Sequence, residues 1–310
     1  MPPTGPPKPV ALIANPAAGP AGRRSRLPGL IDAARAAIPE LAVWPTEGPG
    51  SAAVLARRAA DKGFGSVLVA GGDGTINEAV EGLVGTDTCL GPLPLGTANV
   101  LCRELGLGVG PREALARLVE RGRPRPVCLG RLQGAGPGGA IDRHFLLMLG
   151  VGLDAAIVED VRDGLKRRLG VGAYFLQSGL TGIRYRYPDV RVTVDGETHV
   201  GTSVVIANAR SYAGSFQLAP DAGLARDDLC MVLFDGRGPV PYLGHALAVL
   251  MGNHTAGPGV TVLHGEAFRI ESDARLPGQV DGERAGTVPF TVTARPDALR
   301  LLAPPGARLG

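Results

Sequence analysis

The sequence predicts two structural units: an α/β unit built on a parallel sheet over residues 1–125, and a second, mostly antiparallel β-sandwich unit over 126–288. Three observations carry this. Short apolar runs alternate with helical periodicity up to about Gly122, the pattern of a parallel sheet covered by helices. The run RGRPRP at 121–126 breaks that alternation, and the apolar segments beyond it follow one another with few helical stretches between them. A chain of 310 residues is also long enough to bury two cores.

The first unit opens with a strand at 10–14 ending in Asn15-Pro16, then a helix over 23–37, a strand at 41–44 and a helix over 51–60. Val67, Leu68 and Val69 form a short apolar run suited to a buried parallel strand. Gly71 and Gly72 permit a tight turn, and a helical pattern runs from Thr75 to Leu83. A second apolar run leads to the turn Leu95-Gly96-Thr97-Ala98-Asn99. In sheets of this kind ligands sit at the carboxyl ends of strands, where both glycine turns and Asn15-Pro16 fall. In the second unit, strands are expected at 127–132, 143–149, 190–194, 200–207, 231–234, 260–263 and 267–270. The segment GAGPGG at 134–139 fits a dinucleotide-binding pattern, but it contains Pro137 and precedes another strand, so it reads as a hairpin loop.

A glycine turn entering a helix points free N–H groups and a positive helix end at one spot, which stabilises an anion. Asp73 beside such a site would repel a phosphate unless a cation lies between them, so the turn reads as part of a magnesium-nucleotide site. Taken singly, this turn is equally a strand-turn-helix with packing glycines and a capping Asp; the second turn favours the nucleotide reading. No Gly-Lys-Ser/Thr P-loop occurs.

A net charge of +3 gives no case for nucleic acid, and the basic residues are nearly all Arg, with Lys only at 8, 62 and 166. The four cysteines and five histidines lack metal-ligand spacing. The N-terminal apolar run stops at Asn15-Pro16, so it suits neither a signal peptide nor a span. A cytoplasmic protein with reduced thiols is expected.

GGDGTINEAVEGL and PLGTANVLCREL resemble the two signature motifs of the diacylglycerol kinase catalytic-domain family of lipid kinases, soluble bacterial type, related to sphingosine and ceramide kinases. IANPAAG, GLDA at 152–155, LAPDAGL at 218–224 and QVDGE at 279–283 extend the likeness in order along nearly the whole chain. The resemblance implies a fold of NAD kinase/diacylglycerol kinase type, with the tail 289–310 returning to the first unit. It also implies an ATP site lined by Asn15, Pro16, Thr46, Gly71, Gly72, Gly74, Thr75, Gly96, Thr97 and Asn99, with Asp73 beside it.

By itself, Asp281-Gly282 reads as a type I′ hairpin turn. The resemblance makes Asp281 the general base and Glu283 its supporting acid or a secondary metal contact. It also suggests a structural Mg2+ at Asp227 or Asp228, with a solvated acidic turn as the equal alternative because Leu229 stands where the family usually has Gly; Val100 likewise replaces a frequent Asp. Cations mixed with apolar and aromatic residues over 162–188, Lys166 and Arg167 among them, suit a lipid-facing surface that Arg23 and Arg24 could join; a solvated basic face is the alternative. The implied protein is an ATP- and Mg2+-dependent kinase of a lipid hydroxyl (diacylglycerol-like, phosphatidylglycerol or sphingoid), peripheral at the inner face of the membrane and often a homodimer. The rivals are an NAD kinase, which shares the GGDGT turn, and a catalytically silent nucleotide- or lipid-binding regulator.

Overall fold

A computed structural model describes residues 5–19, 25–136, 138–153, 155–156, 185–212 and 216–310. The first part alternates as β1 (Val10–Ala14), α1 (Leu27–Ala37), β2 (Ala42–Pro45), α2 (Ser51–Asp61), β3 (Ser66–Gly71), α3 (Asp73–Leu83) and β4 (Cys89–Pro94). All pairings among these strands are parallel, in the order β4-β3-β1-β2. β1, β3 and β4 are buried along their whole length, as strands covered on both faces must be. Helix α1 has Pro28 in its first turn, where a missing N–H costs nothing, and the expected start at 23 lies outside the described residues. Ala52, Ala56 and Ala59 form the buried stripe of α2, small enough to bring it close to α3.

After α4 (Val100–Glu104) and α5 (Pro111–Arg121) come the antiparallel strands. They are β5 (Arg123–Gly136), β6 (Gly139–Phe145), β7 (Met148–Val151), β8 (Val190–Val194), β9 (Glu197–Gly201), β10 (Ser203–Ala207), the short β11 (Ser211–Tyr212) and β12 (Phe216–Gln217), and β13 (Leu229–Phe234). Helix α6 (Pro239–Met251) precedes β14 (Val260–Gly265), β15 (Ala267–Glu271), β16 (Pro277–Val280) and β17 (Glu283–Ala303). One layer runs β14-β13-β10-β7-β16, and β17 carries β15, β8 and β9 on one side and β5 and β6 along its length. Phe145, Phe268, Phe290, Leu149, Ile206 and Met231 fill the interior of this sandwich. Beyond it β17 continues until Arg300 and Leu301 pair in parallel with Cys89 and Leu90 of β4, so the two sheets are continuous.

Several expected boundaries shift for identifiable reasons. The RPRP run lies inside β5 because only β17 pairs with it there, leaving the imide nitrogens of Pro124 and Pro126 on an open edge. The expected strand over 143–149 is interrupted at Leu146 and Leu147, whose amides turn to a carboxylate described below. The one expected over 200–207 divides at Thr202, whose N–H and hydroxyl go to the Phe234 carbonyl. GAGPGG lies at the β5–β6 hairpin, with Gly136 opposite Gly139. The four cysteines are buried and unpaired, and burial pushes the Cys89 and Cys128 thiols up to about 11. No described helix is long and apolar enough to cross a membrane.

Candidate active site

The carboxyl ends of β1 to β4 carry one residue each past the strand into a shared row. The N–H groups of Asn15, Thr46 and Leu95 donate to the carbonyls of Ala70, Ala14 and Gly71 at 2.9, 2.9 and 2.8 Å. Asn15 uses both halves of its amide: Nδ2 donates to Thr75 Oγ1 at 2.8 Å, while Oδ1 accepts the Ala17 N–H at 2.9 Å across Pro16. The first loop and the first glycine turn are thereby fixed to each other.

The two glycine turns touch. A Cβ on Gly96 would lie 2.5 Å from Gly72 Cα, a separation only bare backbone allows. Gly72 caps α3, which begins at Asp73. The Asp73 carboxyl stands against the backbone N–H groups of Leu101, Val100 and Asn99 at the head of α4; burial raises its pKa while these amides pull it down. Its Oδ1 is nonetheless buried without a hydrogen-bond partner. Asn99, held in the left-handed region at φ 48°, donates from Nδ2 to the Gly96 carbonyl at 2.8 Å, and its Oδ1 is likewise buried and unpartnered. Two orphaned oxygens beside crossed glycine turns are a donor set suited to a hard cation. Thr97 is exposed at the tip of the second turn.

Across from these turns stands the β16–β17 hairpin. Asp281 and Gly282 have φ of 48° and 81°, the pair of left-handed residues that defines a type I′ turn. The local reading of this dipeptide and the family reading therefore describe the same object: the turn aims a carboxylate. Asp281 Oδ2 accepts the Leu146 N–H at 2.9 Å, and Oδ1 accepts those of Leu147 and Met148 at 3.0 and 2.8 Å. Desolvation nevertheless pushes its pKa up to about 6 against the pull of these amides, with repulsion from Asp73 adding to the rise. Glu283 lies over the first turn, where a Cβ on Gly74 would be 3.4 Å from its Oε1. Arg143 Nη2 donates to Glu283 Oε2 at 3.1 Å. His144 is bound by Glu81 of α3 through its backbone N–H at 2.7 Å and Nδ1 at 3.0 Å, tying β6 to the helix that starts at the site.

Asn208 holds the amide cradle in place. Its Nδ2 donates to the carbonyls of Cys128 and Leu146 at 2.8 and 2.9 Å, and its own N–H donates to the Leu147 carbonyl at 2.8 Å. Asn208→Ala leaves two buried carbonyls without that donor, so we expect a loss of about 1–3 kcal/mol in urea denaturation. Turnover is expected to fall while nucleotide affinity is kept, which steady-state kinetics beside a nucleotide titration would check.

Asp73, Asp281, Glu283 and both glycine turns thus come together, and Asn15 and Thr46 stand in the same row. The acidic pair at 227–228, expected as a structural cation site outside the cleft, carries a protein partner on Asp228. Arg226 forks onto both oxygens of Asp228 at 2.6 and 2.8 Å, and His264 Nδ1 lies 3.3 Å away. That hydrogen-bonded fork holds the Asp228 carboxyl below its usual range. Among the described residues no group of three or more His, Cys, Asp or Glu could hold a metal. Arg23, Arg24, Lys166 and Arg167 lie outside the described residues. Arg143, Asn208 and the three cradle amides escaped the sequence reading, because their partners lie far along the chain and no spacing signals them.

Residues 9–132 match the family model described as diacylglycerol kinase catalytic domain. Residues 148–303 match the YegS C-terminal NAD kinase beta sandwich-like domain. A Chromohalobacter salexigens protein named "Probable lipid kinase YegS-like" is 33% identical over 297 residues, 93% of each chain. A Bacillus subtilis protein named diacylglycerol kinase is 27% identical over 289 residues, 91% of this chain and 92% of its own. A crystal structure of a Bacillus anthracis diacylglycerol kinase superposes with a TM-score of 0.73 at 23% identity, covering 96% of this chain and 97% of that one, a likeness of fold.

Proposed function

The chain belongs to the diacylglycerol kinase catalytic-domain family of lipid kinases, and on that premise we propose that it transfers the γ-phosphoryl group of ATP to the hydroxyl of a diacylglycerol-like lipid. The observation that carries this reading is the Asp281 turn, which presents a carboxylate with a raised pKa opposite two crossed glycine turns.

Phosphoryl transfer asks little covalent chemistry of a protein; it asks for the triphosphate to be held, its charge neutralised and the acceptor oxygen aligned. The amides at Gly72, Gly74 and the head of α3, with Thr75 and Thr97, would hold the phosphates, and Asn15, Pro16 and Thr46 would lie toward the nucleoside. Asp73 Oδ1 and Asn99 Oδ1 would hold Mg2+, which when bound neutralises phosphate charge. Asp281 would take the proton of the lipid hydroxyl as the oxygen attacks. The three amides hold its carboxylate in one orientation, as a base must be held. Glu283, fixed by Arg143, would keep the turn in place over Gly74.

The test is γ-labelled ATP with Mg2+ and separate micelles of diacylglycerol, phosphatidylglycerol and a sphingoid base, run beside Asp281→Asn and beside NAD as the sole acceptor. Label in the diacylglycerol product with wild type alone is the expected result. Label in another lipid renames the acceptor, and label only in NADP would overturn the reading.

A further inference from the structure

We propose that α6 is a membrane-contact element whose outer face enters the headgroup region of an anionic bilayer; the proposal rests on the lipid-kinase reading for why a bilayer would be met. The helix, PVPYLGHALAVLM, contains no Asp, Glu, Lys or Arg. Its inner side is accounted for: Tyr242 packs on Tyr187 with ring centroids 5.8 Å apart, His245 Nε2 meets the Asp235 carbonyl at 2.9 Å, and Val249 rests on the main core. Its outer side is Val240, Leu243, Leu247, Leu250 and Met251, exposed by 79, 62, 49, 49 and 70%. Their spacing of three and four residues puts them in one stripe. A surface helix of a soluble domain carries polar residues there, so an all-apolar stripe marks a contact.

Three occupants can be weighed. The helix cannot span a bilayer, because 13 residues reach about 20 Å against a hydrocarbon core of about 30 Å. A second copy pairing through this stripe alone would cover a strip roughly 20 by 10 Å, well short of the about 800 Å2 per partner of a stable interface. A lipid surface needs neither length nor area of that kind, since an interfacial helix buries only its apolar face to a shallow depth.

The surroundings match such a surface. Arg237, just before the helix, and Arg186 are exposed cations, although Arg237 also pairs with Asp189. Tyr185, Tyr187 and Tyr242 form a largely buried aromatic cluster at its root, which anchors the helix and leaves the apolar stripe outermost. Cations flanking an apolar stripe complement anionic headgroups.

The experiment uses full-length protein and mixed phosphatidylcholine–phosphatidylglycerol vesicles. Wild type is expected to float with the vesicles, and Leu243→Glu/Leu247→Glu to partition at least about tenfold less while phosphorylating a short-chain, monomeric diacylglycerol as well as wild type does. Because the native cysteines are buried, Leu247→Cys can carry an environment-sensitive fluorophore, whose emission should shift to the blue only when vesicles are added. Unchanged flotation of the double variant overturns the proposal even if the short-chain reaction proceeds. Emission already blue in buffer and unmoved by vesicles overturns it by placing protein over the face, as does a dimer in light scattering that the double variant splits. Loss of flotation in the variant, with no lipid phosphorylated by either protein, upholds the membrane face while the kinase reading falls.

Discussion

Replacing Asp281 by Asn is expected to lower kcat for lipid phosphorylation by about 10²- to 10⁴-fold, the usual contribution of a positioned base, with nucleotide affinity retained. The wild-type rate should carry a matching signature. A base with a pKa near 6 is ionised above that value and protonated below it, so kcat/KM should rise about tenfold per pH unit up to about 6 and then level off. Loss of this limb in the residual activity of Asp281→Asn would tie it to the residue, whereas an unchanged limb would place the titrating group elsewhere.

Linkage gives a second readout with a defined sign. The native pKa of about 6 lies above the ordinary carboxyl value of 3.8, so the native state binds this proton more tightly than the unfolded chain does. The contribution of Asp281 to stability is therefore fully present below the unfolded value and is lost as pH rises through about 6. Asn cannot replace the cradle interactions outright: its NH2 would face an N–H that now meets a carboxylate oxygen. An unmet buried amide costs about 1–3 kcal/mol, so the variant's melting temperature must be measured beside its rate.

The second large effect is expected at Gly96. In Gly96→Ala the new methyl would sit 2.5 Å from Gly72 Cα and 3.0 Å from Asn99 Oδ1, and the nearer neighbour is backbone that cannot rotate away. The turns must separate, which overpacking data put at about 1–3 kcal/mol of stability. The phosphate-facing amides would move with them, so the Kd for ATP should rise at least about tenfold, roughly 1.4 kcal/mol. Gly74→Ala is the internal comparison: its methyl would meet Glu283 Oε1 at 3.4 Å, ordinary contact, and it should fold normally. Isothermal titration with chemical denaturation separates the two; equal behaviour would mean that the close approach of the turns does not govern nucleotide binding.

The parallel sheet was legible because its signal is local. Each buried strand is a short apolar run, and each ends at a residue whose side chain or lack of one suits a turn. The site was legible only as separate pieces. Gly72 and Gly96 announce turns, yet nothing in their neighbourhoods says that the turns touch, and Asp281-Gly282 announces a hairpin without saying where its carboxylate points. The orphaned oxygens of Asp73 and Asn99 and the Leu146–Met148 cradle are products of tertiary packing. The α6 segment escaped because its two prolines, its central Gly244 and its absence of charge match a loop better than an amphipathic helix. The RPRP run misled in the opposite direction, since it reads as a break ahead of a strand at 127, whereas β5 starts at Arg123 and passes through both prolines along an open edge.

β17 begins two residues after Asp281 and runs for 21 residues to end beside β4, paired with β5 over much of that distance. Its register against β5 slips twice, between Thr287 and Thr291 and between Arg295 and Leu299, where Asp297 takes a left-handed φ of 52°. The span between the base and the parallel sheet is thus hydrogen-bonded strand with two irregular steps, not a slack tether. A paired strand bends most easily where its ladder is interrupted, so any relative movement of the two walls of the cleft would be taken up at those two steps.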